Sequence, residues 1–188
     1  ANDDDLILIS DVDEIPDLKE VNLKNYKEKL IFFNQEMFYY KFNLKLPNHN
    51  WVGTRSCKKK YLKSPQWLRN IKVKNYPFYR LDTFFSETRY SNIKFIDNGG
   101  WHFTNIKTPI DLFEKLKNFG HHDEFELSNI DVDILKQKIN DKEVFYNHAL
   151  DKSNESKWND NYKLKKIDNK LLPEYLNKNY SRYKEWFD

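Results

Sequence analysis

The chain has few of the residues that cross-link a fold or carry it through a membrane. It holds one cysteine, Cys57, which excludes an internal disulfide and makes a reducing compartment the expectation. No apolar run approaches the ~20 residues that a membrane-spanning helix needs. The 32 basic and 29 acidic residues nearly cancel, leaving a net charge of +3 and no concentrated basic face for nucleic acid. We therefore expect a cytoplasmic protein without nucleic-acid partners.

Length and aromatic content favour one globular unit. With 188 residues, a chain removes roughly two thirds or more of its unfolded surface from water. Aromatic residues make up 16% of the sequence and supply large side chains for a core, although only 39% of the residues are apolar. Stretches of strand period and of helix period alternate, which predicts an α/β fold. We expect a single domain over residues 1–188, with a helical tail at about 173–188.

Local patterns predict individual elements. Ser64 and Thr108 each precede a proline, and the pair is typical of a helix start. Asp131, in a second Asp-Val-Asp stretch, is expected to cap a helix rather than to bind a metal. In chain order the patterns predict a helix over 17–30, a strand over 38–46 ended by a turn at 47–50, a helix over 64–70, a strand over 93–96, a helix over 108–120 and a helix after 131.

Two acidic residues stand where an apolar run stops. The run Leu6–Ile9 is followed by Asp11 and Asp13, and soon afterwards by Pro16. Side chains alternate along a strand, so the two aspartates are expected on one side while Val12 points into the packing. Pro16 cannot continue a central ladder, which places the acidic pair at the carboxyl end of the strand, where ligands of open α/β sheets bind.

Such a pair of carboxylates suits a hard divalent cation. Carboxylate oxygens are ligands for Mg²⁺ or Mn²⁺, which complete their coordination with water and phosphate oxygens. A sugar nucleotide would supply those phosphate oxygens, and the ion would neutralise charge that builds on the diphosphate as the bond to the sugar breaks. The alternative is that Asp11 and Asp13 only cap the next turn or face water.

Three segments together resemble a known family. Asp4–Pro16, which reads DDLILISDVDEIP, resembles the signature segment of glycosyltransferase family 17, the group that includes the β-1,4-mannosyl-glycoprotein N-acetylglucosaminyltransferases. Gly99–Thr104 (GGWHFT) is similar to that family's Gly-Trp-His segment, and Phe119–Phe125 (FGHHDEF) to the His-x-Glu-aromatic segment of its microbial members. Order and rough spacing agree from Asp4 to about Phe125, and Leu172–Leu176 is a weaker match.

The resemblance implies a fold and a reaction. It implies a GT-A type fold, Rossmann-like with a mixed sheet flanked by helices, and an inverting transfer from a UDP-sugar donor, UDP-N-acetylglucosamine, to a glycan acceptor. It also implies dependence on a divalent metal, Mn²⁺ or Mg²⁺. In GT-A enzymes a nucleotide-binding portion precedes the acidic pair, whereas ten residues precede Asp11 here. We therefore expect this chain to be the carboxyl-side part of such a fold, inactive as a transferase by itself, and a membrane-bound secretory-pathway origin remains open.

The second segment offers substrate contacts. Gly99 and Gly100 permit close approach of a sugar or phosphate to the backbone. Trp101 offers a flat face for a sugar ring, and His102 can donate or accept a hydrogen bond near neutral pH. With the family resemblance, these four residues are expected to contact donor or acceptor. The alternative is a tight turn followed by a core tryptophan and a satisfied histidine.

The third segment supplies candidates for a third metal ligand and for the base. A neutral imidazole can complete the shell of Mn²⁺, and we assign that role to His122, the histidine of the His-x-Glu-Phe pattern. Inverting transfer also needs a carboxylate that accepts the proton of the attacking hydroxyl. Glu124 is the first candidate, followed by Asp97 and then Asp123. The alternative for this segment is a polar, solvated connector after a helix.

Two arginines are candidates for the diphosphate. Arg55 lies near Trp51 and Gly53 in the sequence, and Arg69 lies in the helix predicted over 64–70. A guanidinium can bind phosphate oxygens through two hydrogen bonds. Arginines in surface ion pairs are the alternative.

Two rival classes of function stay open. An apolar strand ending in Asp-x-Asp also opens the phosphatase and phosphotransferase fold that uses an aspartyl nucleophile, but Ile15 stands where that motif has Thr or Val. The other rival is a glycan-binding remnant without catalysis, which follows from the expectation that the nucleotide-binding portion is missing from this chain. A pure glycan binder has no reason to require metal or UDP.

Overall fold

The fold mixes strands and short helices along the chain. The computed structural model describes residues 1–19, 21–23, 26–118, 125–126, 128–145 and 162–188. Its strands are β1 (Leu6–Ile9), β2 (Glu14–Pro16), β3 (Leu30–Tyr39), β4 (Leu44–Lys58), β5 (Ile93–Ile96), β6 (Gly100–Thr104) and β7 (Lys165–Lys166). Its α-helices are α1 (Pro65–Asn70), α2 (Pro109–Lys117), α3 (Val132–Asn140), α4 (Glu174–Lys178) and α5 (Tyr180–Tyr183). Short 3-10 helices lie at Lys59–Tyr61, Leu81–Thr83, Asn169–Leu171 and Lys184–Trp186.

The strands pair in both directions. Neighbouring strands follow the order β1-β4-β3-β6-β2, with β5 paired to β3 and β7 paired to β4. β5 runs parallel to β3, with Ile93 opposite Leu30, whereas β1 and β7 run antiparallel to β4. β2 is antiparallel to β6 and brings Glu14 opposite His102. The predicted α/β class, with a mixed sheet flanked by helices, is confirmed.

The described chain divides into two compact units. The first comprises Ala1–Glu36 and Asn50–His102, and the second comprises Met37–His49 and Phe103–Asp188. In the first unit, the residues of β3 are mostly apolar without alternation, because both faces of the strand are buried. One face packs with α1 and β5 in a buried cluster of Leu30, Phe32, Cys57, Leu68, Ile71 and Ile93.

The second unit has its own core. Aromatic residues from β3 and the following turn pack there against the apolar sides of α2 and α3. Tyr39 and Tyr40 are both buried, and their rings meet edge to face with centroids 5.4 Å apart. Further buried members of this core are Leu44, Leu112, Leu116, Leu135, Val144 and Leu164.

The elements with local start signals are confirmed. Ser64 caps α1 by accepting a hydrogen bond from the backbone N–H of Trp67, and Thr108 caps α2 by accepting one from Asp111. Asp131 caps α3 in the same way. The strand at Ile93–Ile96 is present, and the tail is helical at α4 and α5. None of the helices in the described ranges is long and apolar enough to cross a membrane.

The helix predicted over 17–30 is wrong for the residues described there. Asp17 begins a local turn in which its carboxylate accepts from the backbone N–H of Lys19, and the described residues between this turn and β3 form no α-helix. Val21, Leu23 and Tyr26 pack against the buried cluster of Ile31, Phe33 and Ile96. Too few apolar residues recur at helical spacing in this stretch to cover a helix face, so packing onto the sheet decides its path.

The single strand predicted over 38–46 is a hairpin. β3 ends at Tyr39, residues 40–43 turn, and β4 starts at Leu44, with Tyr40 at a φ of 63°. The turn is fixed from a distance, because the side chain of Asn43 accepts from the backbone N–H of Asp188 at 2.9 Å. The turn predicted at 47–50 is also wrong, since β4 continues through Asn48, whose φ of 57° leaves only a local distortion.

The predicted direction of Val12 is wrong as well. β1 ends at Ile9, so residues 11–13 lie in a turn rather than in the strand, and the alternation of a strand no longer applies. Val12 is fully exposed instead of packed. The placement of Asp11 and Asp13 directly after the end of the strand is confirmed.

Candidate functional site

The acidic turn, Asp11–Asp13, connects β1 to β2 in the first unit. Glu14 closes it from the carboxyl side, because its Oε2 accepts from the backbone N–H of Asp11 at 2.9 Å. In return, the backbone N–H of Glu14 donates to the carbonyl of Asp11 at 3.1 Å. These reciprocal bonds resemble a capping box and hold the turn in one shape. Glu14 therefore positions the turn.

Arg69 binds the first aspartate of the turn. Its Nη1 donates to Oδ1 of Asp11, and its Nη2 donates to Oδ2 at 2.8 Å, so the ion pair is bidentate. This hydrogen bonding raises the pKa of the Arg69 guanidinium above its ordinary value. Both side chains stay partly open to solvent, at 43% and 39% exposure. Of the two sequence candidates for phosphate binding, Arg69 is the one that lies against the acidic turn.

Arg55 supports the helix that carries Arg69. Its Nη1 donates to the backbone carbonyls of Leu68 at 3.0 Å and Ile71 at 2.8 Å, and also to that of Arg69. These carbonyls lie at the carboxyl end of α1, where helical backbone acceptors lack partners. Burial lowers the pKa of the Arg55 guanidinium, which lies over the ring of Phe32 at 4.9 Å. Arg55 thus fixes the position of α1.

The second aspartate contacts a buried histidine. Nε2 of His102 lies 3.3 Å from Oδ2 of Asp13, while Nδ1 of the same ring is buried without a hydrogen-bond partner among the described residues. The ring of Trp51 lies beside that of His102, with centroids 5.0 Å apart. Trp51 also donates through Nε1 to Oε1 of Glu14 at 2.7 Å. A connected set of contacts therefore runs from Arg69 through the acidic turn to His102.

A recess that is open to solvent lies beside the acidic turn. Gly53 forms part of its floor on β4, and a Cβ there would overlap the Gln35 amide and come within 2.8 Å of the Glu14 carboxyl carbon. The absence of a side chain at Gly53 leaves this space to Gln35 and Glu14. The recess is lined by Ile9, Asp11, Glu14, Trp51, Val52, Gly53, Arg55 and Arg69.

The paired glycines lie against the protein's own backbone. Gly100 has a φ of 131° and pairs with Pro16, and a Cβ there would come within 2.8 Å of the backbone nitrogen of Asp17. Gly99 donates to the carbonyl of Asn34 at 2.8 Å. Trp101 is half-buried and lies opposite Ile15 in the β2–β6 pair. The glycines thus allow β2 to pair with β6, and a substrate contact for Gly99, Gly100 and Trp101 stays a prediction.

Asp97, the second candidate for the base, does not line the recess beside the acidic turn. Asp97 is exposed after β5 and accepts from the side-chain amide of Asn34 at 2.7 Å. His122, Asp123 and Glu124 lie outside the described residues. Within the described part of the chain, no three histidine, cysteine or acidic side chains form a ready metal cluster.

Sequence reasoning did not assign Glu14, Trp51 or Gly53 to the site. A signal for two of them was present, because Trp51, Gly53 and Arg55 are spaced by two residues on β4, and all three line the recess. Glu14 follows the Asp-Val-Asp letters at capping-box spacing from Asp11.

Comparison of the chain with models of known protein families, with curated proteins and with solved structures finds no match.

Proposed function

We propose that this chain is part of a metal-dependent, inverting glycosyltransferase of GT-A type, related to glycosyltransferase family 17. Its donor would be a UDP-sugar, with N-acetylglucosamine as the sugar, and its acceptor a glycan. The observation that supports the proposal is the pairing of a strand-end acidic turn with an arginine. Asp11 and Asp13 are partly exposed, and Arg69 lies against the first of them beside the open recess.

The acidic turn fits a divalent cation in its ligand chemistry. Asp11 and Asp13 present hard carboxylate oxygens at the surface, which suit Mn²⁺ or Mg²⁺. The carboxylate of Asp11 faces the Arg69 guanidinium, and that of Asp13 faces the imidazole of His102, so a nitrogen donor already lies against each carboxylate. When bound, a divalent ion would stabilise the charge that develops on a departing diphosphate. His122 remains the proposed third ligand.

Other residues of the chain would bind the diphosphate, contact the sugar or base, hold the site in place and accept a proton. Arg69, released from Asp11, has the fork geometry to bind two diphosphate oxygens. Trp51 borders the recess at 38% exposure and offers a face for a sugar or a base. Glu14 and Arg55 keep the turn and α1 in place. A carboxylate, Glu124 or Asp97, would accept the proton of the acceptor hydroxyl as it attacks the anomeric carbon in line.

Calorimetric titration of the 188-residue chain with Mn²⁺, with UDP and with both together tests the proposal. We expect UDP to bind only in the presence of Mn²⁺, because the turn and Arg69 bind the diphosphate jointly with the ion. Asp13→Asn is expected to weaken Mn²⁺ binding at least about tenfold. Asp133→Asn is the matched control, since Asp133 belongs to the second Asp-Val-Asp stretch, which starts α3.

Three results would contradict the proposal. UDP binding that ignores Mn²⁺, or that survives Asp13→Asn unchanged, removes the metal-dependent donor site. Glycan binding without any response to Mn²⁺ or UDP favours the glycan-binding remnant. Turnover of p-nitrophenyl phosphate that Asp11→Asn abolishes favours the aspartyl phosphatase.

A further inference from the structure

A loop in the first unit exposes a dense group of large apolar side chains. The aromatic loop, residues 76–90, connects α1 to β5 and contains one 3-10 turn at Leu81–Thr83. Single exposed apolar residues are ordinary on protein surfaces, but a concentrated group marks an interaction site. Five of the eight residues from 78 to 85 are large, apolar and more than 70% exposed: Phe78, Tyr79, Leu81, Phe84 and Phe85.

The base of the aromatic loop is built into the fold. Tyr76 donates from its backbone N–H to the carbonyl of Tyr90 at 3.0 Å. The side chain of Asn75 accepts from the backbone N–H of Ile93 at 2.7 Å and donates to the Ile93 carbonyl at 3.0 Å. The exposed residues therefore project from a closed base, which holds the loop to β5.

Polar groups at the tip of the loop form hydrogen bonds with one another. Arg80 donates through Nε and Nη2 to both carboxylate oxygens of Asp82, and Arg89 adds a third bond to Asp82 at 2.7 Å. The backbone N–H groups of Thr83 and Phe84 donate to carbonyls three residues earlier. Because these groups bond within the loop, the outward-facing groups left for a partner are mainly apolar side chains.

The charge around these apolar side chains is positive. Between Lys72 and Tyr90 the sequence has four basic and two acidic residues. Asp82 is compensated by two arginines, and Glu87 pairs with Lys63 at 3.3 Å. Lys72 and Lys74 are exposed just before the loop and form no ion pair with a described carboxylate. A complementary partner is therefore apolar and negatively charged.

We propose that the aromatic loop inserts into the interface of a membrane that contains anionic lipids. Aromatic and leucine side chains favour the boundary between headgroups and acyl chains, and neighbouring lysines favour the negative lipid surface. A fluid bilayer can take up a loop whose polar groups already bond within the loop, because the bilayer needs no surface of complementary shape. This inference is independent of the proposed transferase activity.

Vesicle flotation of the 188-residue chain tests it. One set of vesicles contains phosphatidylcholine alone, and the other contains phosphatidylcholine with phosphatidylserine. We expect binding to the anionic vesicles that decreases with added salt. Phe84→Ser with Phe85→Ser is expected to lower the partition coefficient at least roughly tenfold, because two ring systems no longer leave water.

Charge and control variants complete the test. Lys72→Glu with Lys74→Glu is expected to lower binding to anionic vesicles by roughly tenfold or more and to remove the preference for them. Leu171→Ser with Tyr175→Ser changes two apolar residues of the second unit, 62% and 57% exposed, and is expected to leave binding unchanged. Circular dichroism and thermal melting check that each variant is folded, since all these residues are exposed.

Several outcomes would overturn the inference. The first is no binding of the unaltered chain to anionic vesicles at low salt. The second is unchanged binding of the Phe84 and Phe85 variant. The third is association of the chain with itself, seen as a concentration-dependent mass without vesicles that the same variant abolishes, which would make the loop an interface between copies.

Discussion

Arg69 and Asp11, which are 58 positions apart in the sequence, meet in a bidentate ion pair at the edge of the open recess. The pair places a guanidinium on the carboxylate oxygens that a divalent ion would take. If Asp11 binds a divalent ion as proposed, Arg69 would compete with that ion for Asp11, and a guanidinium freed from Asp11 would be able to bind a diphosphate. We therefore expect removal of Arg69 to have opposite effects on the binding of metal alone and on the binding of nucleotide in the presence of metal.

Arg69→Ala is expected to tighten Mn²⁺ binding by roughly two- to fivefold, because an exposed pair of about 0.5–1 kcal/mol no longer opposes it. The same change is expected to weaken binding of UDP in the presence of Mn²⁺, because the diphosphate loses a two-bond partner. Calorimetry measures both. Arg80→Ala is the matched control, since the Arg80–Asp82 pair has nearly the same exposure and lies outside the recess lining. Weaker Mn²⁺ binding in Arg69→Ala would refute the competition.

Gly53→Ala is expected to destabilise the protein by about 1–3 kcal/mol, because the new Cβ overlaps the Gln35 amide and crowds Glu14. Urea unfolding followed by circular dichroism gives the free energy. Combining it with Gln35→Ala should relieve the overlap, so the double variant is expected to be more stable than the two single effects predict by addition. Strict additivity would show that Gln35 is not the obstacle.

Glu14→Ala is expected to lower the free energy of unfolding by about 1–2 kcal/mol, because the backbone N–H of Asp11 and the indole N–H of Trp51 both lose their acceptor. Equilibrium unfolding in urea provides this value, and indole emission reports the change around Trp51. Glu14→Gln keeps one carboxamide oxygen and should give an intermediate loss. Wild-type stability in Glu14→Ala would mean that the acidic turn does not depend on this closure.

Cys57 is expected to react slowly with Ellman's reagent in the folded protein. The side chain is fully buried, and burial raises the pKa of its thiol to about 11 from an ordinary value of 9.0. At pH 8 the folded thiolate is then roughly 100-fold rarer than the unfolded one. The rate in buffer is compared with the rate in guanidinium, and rates within about tenfold of each other would contradict the burial.

The same shift gives a pH dependence of stability. Above pH 9 the unfolded chain loses the thiol proton that the folded chain keeps up to about pH 11. Unfolding then releases a proton, so the free energy of unfolding is expected to fall as the pH rises through this interval. Cys57→Ala should reduce that part of the slope, which urea titrations at several pH values measure.

The elements that sequence reasoning found are those whose signals are local. The apolar run of β1, the Ser64 cap of α1 and the Thr108 cap of α2 each act within a few residues. The acidic turn was found for the same reason, since a strand end and its aspartates are adjacent. Propensity, caps and strand period are therefore enough to predict an element whose contacts are made between residues close together in the sequence.

The misplaced elements and the missing site residues depend on distant partners. The hairpin turn at 40–43 has no glycine or proline signal and is fixed by contacts of Asn43 with the carboxyl end of the chain. Val21, Leu23 and Tyr26 pack onto Ile31, Phe33 and Ile96 rather than forming one side of a helix. Likewise, the hydrogen bond from Trp51 to Glu14 spans 37 positions, which no local pattern reveals.

The buried state of Cys57 also makes the protein convenient for spectroscopic probes. The chain has one cysteine, and that thiol is shielded, so a cysteine introduced at the fully exposed Val12 would be the preferred attachment point for a fluorophore or nitroxide. A label there would sit between Asp11 and Asp13, so paramagnetic Mn²⁺ would quench or broaden its signal if the ion binds the acidic turn as proposed.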